Sequence, residues 1–244
     1  MLFTVERVSK RFNQFQALTK VSFKVDQGRI LGIAGPNGAG KSTLLNVCTG
    51  TLRPSGGTIV LDGRRTDGLP LRRMAEAGLA RTFQIPQVFG SVDVDTNIRI
   101  GATFGRKRGP DEVQDSVERV IDLLDLRATR YRLAGQADLL TRKMTMLAAA
   151  LATDPKIVFM DEPFGGLNTK EIEGYVDLVQ RLRQDLDLAF VIVEHKMRAL
   201  TTLSDRLMIL NFGEMLCEGT PDEVLSNSQV NEIYLGRRKD IAVH

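Results

Sequence analysis

Apolar positions recur along this chain with two different periods, and the places where the period changes divide it into regions. VERVSKRF (5–12) and VSFKVDQG (21–28) alternate apolar and polar residues, as half-buried strands do, with a turn between them. RILGIAG (29–35) is a short, almost wholly apolar strand that runs into GPNGAGKST, after which LLNVCTG (44–50) has helical spacing. GTIVLDG (57–63) predicts another strand closing on a turn, LRRMAEAG (71–78) a helix, and LARTFQ (79–84) a strand ending on a polar residue. From there to about residue 155 the strand signal disappears. DEVQDSVERVIDLLDL (111–126) and RKMTMLAAALAT (142–153) both carry the helical period. Strands resume at KIVFMDEP (156–163), DLAFVIVEH (187–195) and DRLMILNFG (205–213), with helices at 170–184 and 196–203 between them.

Strands alternating with helices predict a mostly parallel sheet covered on both faces, preceded here by antiparallel N-terminal strands. The expected organisation is an α/β core over 1–85 and 156–244, interrupted by a helical subdomain at 86–155. At 244 residues the chain is long enough to bury a sizeable core in this form.

Charge changes this picture little. Thirty-three basic against thirty acidic residues leave a formal +3, too balanced to argue for nucleic acid as a partner. The basic runs GRKRG (105–109) and GRRK (236–239) read as solvated loop and tail, with contact to anionic headgroups or a partner as the alternative. Cys48 and Cys217 lie far apart without metal-ligand spacing, so both are expected to stay reduced and to pack as small apolar side chains. MLFTVERVSKRF lacks a signal-peptide core, and no apolar run approaches the length of a membrane span. Any work at a membrane is therefore expected to run through docking.

GPNGAGKS (35–42) fits G-x-x-x-x-G-K-[ST] in the context its chemistry requires, after an apolar strand and opening a helix. Gly35, Gly38 and Gly40 let the backbone wrap a polyphosphate with its N–H groups turned inward, and the helix N-terminus adds partial positive charge. Pro36, Asn37, Ala39 and Thr43 complete the loop. Lys41 is placed to reach the outer phosphates and Ser42 to give a hydroxyl to Mg²⁺, which makes ATP with Mg²⁺ the expected ligand. IVFMDE (157–162) ends a strand on two acids. Asp161 fits a second Mg²⁺ contact, and Glu162 lies where a carboxylate would polarise the water attacking the terminal phosphate. His195 follows the strand AFVIVE and Gln84 ends LARTF; neither would stand out alone, but both follow the loop and acids in a meaningful order.

With these pieces assembled, the chain resembles the ATP-binding subunits of ABC transporters over almost its whole length. The matching residues are GPNGAGKST, the glutamine of RTFQ, the acids of FMDEP, GGLN (165–168) and the histidine of VEHKM. ARTFQ, GLNTKE, VEHKM and the run SDRLMILNFGEMLCEGTPDEVLSN…IYLG are similar to the branched-chain amino acid importer type, an appearance shared by importers of urea or short amides. The resemblance implies a P-loop NTPase fold and ATP hydrolysis coupled to transport. It also implies membrane permease subunits, a second ATP-binding subunit and, indirectly, an external substrate-binding protein, with the chain peripheral on the cytoplasmic side of the inner membrane. By the same resemblance Phe12 stacks on adenine and Gln84 touches Mg²⁺ or its water. His195 contacts the terminal phosphate beside Glu162, and Asn168 stands where an aspartate often faces the other subunit. Soluble ABC ATPases of repair or translation are the alternative class, usually marked by long coiled coils or zinc-spaced cysteines, and the sequence shows neither. A non-hydrolysing regulatory subunit and an exporter ATPase of the lipopolysaccharide type are further alternatives.

One piece departs from the pattern. In this family a glycine-rich LSGGQ-like segment from one subunit completes the phosphate loop of the other. Counting back from DEP places it on Ala137, Asp138, Leu139, Leu140 and Thr141, with LAGQ (133–136) as a rival register. Leucines there would obstruct close approach to phosphate, and an ionised Asp138 offers only acceptors to an anion. Like charges 4 Å apart at an effective dielectric near 20 repel by about 4 kcal/mol. The expectation is an asymmetric heterodimer: this chain completes its partner's site poorly, while its own site keeps Lys41, Ser42, Gln84, Asp161, Glu162 and His195.

Overall fold

The structure, a computed structural model, describes residues 1–105 and 109–232. Residues 106–108 of GRKRG, the run GRRK (236–239) and the IYLG end of the closing match lie outside the described residues.

Two sheets share the core. The first is antiparallel and follows the order β2-β1-β4-β5, from β1 (Phe3–Phe12), β2 (Phe15–Val25), β4 (Gly56–Leu61) and β5 (Arg64–Arg65). The second is built from β3 (Ile30–Ala34), β6 (Leu79–Arg81), β7 (Ile157–Asp161), β8 (Ala189–Val193), β9 (Arg206–Asn211) and β10 (Glu214–Gly219). Its order is β10-β9-β3-β8-β7-β6, parallel except where β10 returns antiparallel beside β9.

The parallel strands are apolar on both faces because both faces are covered. Leu31, Ile33, Phe159, Val191 and Met208 join a core shared with the N-terminal sheet, α1 (Lys41–Cys48) and, through Met74, α2 (Leu71–Glu76). Their strand neighbours Ile30, Met160, Phe190, Ile192 and Ile209 pack on the opposite side. That second core takes in α3 (Val94–Phe104), α4 (Pro110–Leu123), α5 (Leu139–Ala152), α6 (Thr169–Leu186) and α7 (Met197–Leu203). The ring of Phe3 meets Phe159 edge-on at 5.2 Å, which ties the two sheets across the first core.

The sequence predicts α4 and α5 between β6 and β7, but gives no helical reading for α3. VDTNIRIGATF is rich in β-branched residues and includes a glycine, so its local preference for helix is weak. Two features override it. Asp93 caps the helix by accepting from the Thr96 N–H at 2.8 Å. Gly101 lets α3 approach α5 so closely that an added Cβ would lie 2.2 Å from the Ala149 carbonyl. LARTFQ is also shorter as a strand than its apolar run suggests: β6 ends at Arg81, and Gln84 belongs to the loop beyond. Cys48 is buried and Cys217 partly so, both as free thiols, and burial raises the pKa of each. Among the described residues no helix is long and apolar enough to cross a membrane.

Candidate active site

The loop between β3 and α1 has the shape that polyphosphate binding requires, and two of its glycines are fixed by sterics. A Cβ on Gly35 would stand 2.1 Å from the Leu210 carbonyl oxygen, and one on Gly40 would stand 2.9 Å from that of Ala17. Gly40 also adopts φ +99° as the residue that starts α1, a conformation side chains rarely tolerate. Lys41 opens the helix, and its ammonium donates to the carbonyls of Gly35 at 2.7 Å and Pro36 at 2.8 Å. Burial lowers its pKa, while the nearby carboxylates of Glu162 and Asp161 push it back up. A cavity of about 360 Å³ opens over this loop. Its walls are Phe15 and Ala17 of β2, residues 37–43, and Glu162 and His195 across from them.

The acids close the far side. Glu162, one residue beyond β7, sits at φ +44°, an uncommon backbone setting for a carboxylate residue. Its two oxygens are held from opposite directions. Gln84 Nε2 donates to one at 2.6 Å, and His195 Nε2 lies 3.0 Å from the other. Asp161 faces elsewhere, with its Oδ2 accepting from Arg81 at 3.0 Å. The structure therefore gathers Lys41, Ser42, Glu162 and His195 around one cavity and brings Gln84 to Glu162, while Asp161 pairs with an arginine.

Phe12 is not among the residues that wall the cavity. It is the end partner of Phe15 across the β1–β2 turn, and the Lys10 ammonium covers its ring at 4.9 Å. Phe15 lines the cavity and is the more exposed of the two rings. Phe15→Ala is expected to weaken ATP binding about five- to tenfold, the loss of one base–ring contact worth ~1–1.5 kcal/mol. Phe12→Ala is expected to change it less, and titration with a fluorescent nucleotide checks both.

Several further residues around the site gain their role only from the contacts the fold gives them. Arg81 is a nearly buried guanidinium at the end of β6. Lys143 of α5 is fully buried and donates to the Gln84 carbonyl at 3.1 Å, which fixes the glutamine loop to the helix that begins at Asp138. Burial pulls the Lys143 ammonium below its ordinary pKa, with the Glu194 carboxylate opposing. Glu194 receives the backbone N–H groups of Phe164, His195 and Lys196, so one buried carboxylate joins the loop after Glu162 to the loop carrying His195. Glu194 stands within VEHKM and Arg81 within RTFQ, which was the available hint for those two; Lys143 had none.

The departure at ADLLT has a definite geometry. Asp138 is the cap of α5, accepting from the Thr141 backbone N–H at 2.7 Å and from the Thr141 hydroxyl at 3.1 Å. The Thr141 N–H holds its carboxyl below the usual aspartate range, so it stays ionised. LAGQ, the rival register, contributes a tight turn over Ala134–Gln136 and opens no helix. Leu139 packs at Gly166, where an added Cβ would lie 2.7 Å from Leu139 Cδ2. The N-terminus of α5 thus presents a carboxylate and leucines where bare N–H groups would receive an anion. Asn168 caps α6 in a reciprocal pair with Glu171.

Among the described residues no three acidic, histidine or cysteine side chains gather as a metal cage. A Ser42 hydroxyl with one Asp161 carboxylate suits Mg²⁺, which keeps its waters and takes remaining ligands from phosphate oxygens. Gln84 donates its amide N–H to Glu162, so its carbonyl oxygen remains the atom able to meet an ion or its water.

A second concavity, about 180 Å³, lies between the 81–89 loop and helices α3 and α5. Phe83, Val88 and Phe89 line it with Ile100, Met146 and Ala149, and Ile85 stands exposed nearby. The loop is held there by weak acceptors, the N–H groups of Phe83 and Gln87 both reaching the Met146 sulfur at 3.4 Å.

A family model for the ABC transporter domain matches residues 18–165. The chain is 31% identical to the high-affinity branched-chain amino acid transport ATP-binding protein BraF of Pseudomonas aeruginosa, across 95% of this chain and 96% of that protein. It is also 27% identical to the lipopolysaccharide export system ATP-binding protein LptB of Haemophilus influenzae, across 97% and 98%. The ADP conformation of MJ1267, an ATP-binding cassette of an ABC transporter, superimposes with a TM-score of 0.88 at 29% identity, covering 96% of this chain and 98% of that one.

Proposed function

The chain belongs to the ABC transporter family as an ATP-hydrolysing subunit, and from that premise we propose that it drives an importer of hydrophobic amino acids or related small amides. In this proposal it works on the cytoplasmic face of the membrane as one half of an asymmetric pair. The support for import over export is identity of about 30% to branched-chain amino acid transport subunits along nearly the full chain. The observation that carries the mechanism is the clamp on Glu162, held by Gln84 on one oxygen and His195 on the other beside Lys41.

The chemistry follows from those contacts. Lys41 and the 35–43 backbone bind and orient the phosphates, while Phe15 bounds the cavity toward the base. Glu162 accepts the proton of the attacking water, and His195 keeps that water and the terminal phosphate in line. Mg²⁺, held by Ser42 and Asp161, would supply charge neutralisation at the β- and γ-phosphates. Gln84 ties the site to the helices beyond it: its side-chain amide donates to Glu162, and its backbone carbonyl accepts from Lys143 of α5. The segment 86–155 then acts as a lobe whose movement follows nucleotide state.

The groove beside Phe83 and Phe89 is the place for a permease segment. Its aromatic, partly exposed lining is what a buried docking contact uses. Phe83→Asp together with Phe89→Asp is expected to release the chain from solubilised membranes, leaving nucleotide affinity within about threefold, under 1 kcal/mol. Retention of the double variant on the permease would sink the docking assignment.

A further inference from the structure

Arg81 is a strongly placed charge at the site that the proposed chemistry leaves unused. Its guanidinium is fixed on several sides. One terminal nitrogen donates to Asn46 Oδ1 on α1 at 2.6 Å and to Oγ1 of Thr49, the residue that caps that helix, at 3.2 Å. The other donates to Asp161 Oδ2 at 3.0 Å, and the group stacks on the Phe83 ring at 4.7 Å. The two charged side chains are only 11% and 15% exposed, so water screens the pair weakly. The remaining Arg81 nitrogen, Nε, is buried with no hydrogen-bond partner among the described residues, so the polar contacts of the side chain are all made at its far end.

Taking Asp161 as the cation-side carboxylate proposed above, we infer that Arg81 is a resident counter-charge that weakens the grip of Asp161 on a divalent cation. The sign follows from the geometry. Asp161 is neutralised before any cation arrives, and an arginine cannot lose its charge. Asn46 and Thr49 hold the guanidinium at α1, so it has nowhere to retreat when a cation approaches. A divalent ion must therefore share one carboxylate with a fixed positive neighbour, and Lys41 adds to the same local field. A cation held by Asp161 would therefore leave more readily than from an unpaired carboxylate. Arg81 is in this sense a positioning residue for Asp161, and it also lines the groove beside Phe83.

Manganese binding in the presence of ADP, read from the spin resonance of free Mn²⁺, tests this without turnover. Arg81→Met is expected to lower the half-saturating Mn²⁺ concentration at least tenfold, while ADP affinity in chelator changes less than threefold. Arg81→Lys, which keeps the charge, should stay near the parent. Arg81→Gln serves as a second neutral variant should the methionine form fold poorly. In an Asp161→Asn background the Arg81→Met effect should vanish. Unchanged or weaker Mn²⁺ binding in both neutral variants, with Asp161→Asn still lowering affinity, would overturn the inference and leave the Asp161 assignment standing. Mn²⁺ binding indifferent to Asp161→Asn would remove the assignment itself.

Discussion

Glu162→Gln should leave ATP binding within about threefold of the parent and cut turnover by about 10²–10⁴-fold, the range that a positioned general base supplies. Glutamine keeps the shape and still hydrogen-bonds, so the clamp from Gln84 and His195 survives in modified form. What disappears is the ability to take a proton. At 1.36 kcal/mol per decade the loss amounts to about 3–5 kcal/mol of transition-state stabilisation. Steady-state ATPase assay beside equilibrium nucleotide titration separates this outcome from misfolding, which would remove both. Turnover surviving within tenfold would move the base elsewhere.

The second large effect belongs to the N-terminus of α5. Replacing Asp138, Leu139 and Leu140 by Ser, Gly and Gly should raise the ATPase rate of the isolated chain at least tenfold, since copies of the triple variant could complete one another's sites. A repulsion near 4 kcal/mol at 4 Å corresponds to about a thousandfold penalty on joining α5 to a phosphate, so even partial relief is measurable. The change also has a stability cost. Asp138 caps the helix, Leu139 packs at Gly166, and glycines at the first two positions of α5 lose at most about 1 kcal/mol each in propensity. Asp138→Ser alone retains a capping side chain and should give a smaller gain with little loss of melting temperature. Because Thr141 holds the Asp138 pKa below the unfolded value, the cap contributes stability above that unfolded value. The contribution disappears as pH falls through the folded pKa. Across neutral and alkaline pH the aspartate stays charged, so the gain from removing it should be flat there.

Much of this site was legible before any fold was in view. GPNGAGKST and FMDE carry their chemistry in residue type and order, and the apolar runs around them read as strands because parallel strands are buried on both faces. The structure adds what pairwise geometry alone can decide. Gln84 meets Glu162, a pairing no spacing rule specifies across 78 residues. The sequence gives no reading of Arg81 or Lys143, because burial of a cation depends on which acceptors the fold brings to it. Helix α3 was missed for a related reason: its stability comes from the Asp93 cap and from packing at Gly101, while its own residues favour strand. Phe15 and Phe12 sit three residues apart at one turn, and only the fold distinguishes which of them lines the cavity.

This chain is expected to hydrolyse ATP at its own loop and to complete the loop of another copy poorly. The most direct test is the steady-state ATPase rate of the purified chain, alone over a hundredfold range of concentration, then with an equimolar second cassette whose corresponding segment is Ser-Gly-Gly and whose own base is inactivated. The expected result is a low rate alone at every concentration and a rise of at least tenfold in the mixture, abolished by Glu162→Gln in this chain. A brisk rate from the chain alone, growing with the square of its concentration, would contradict it.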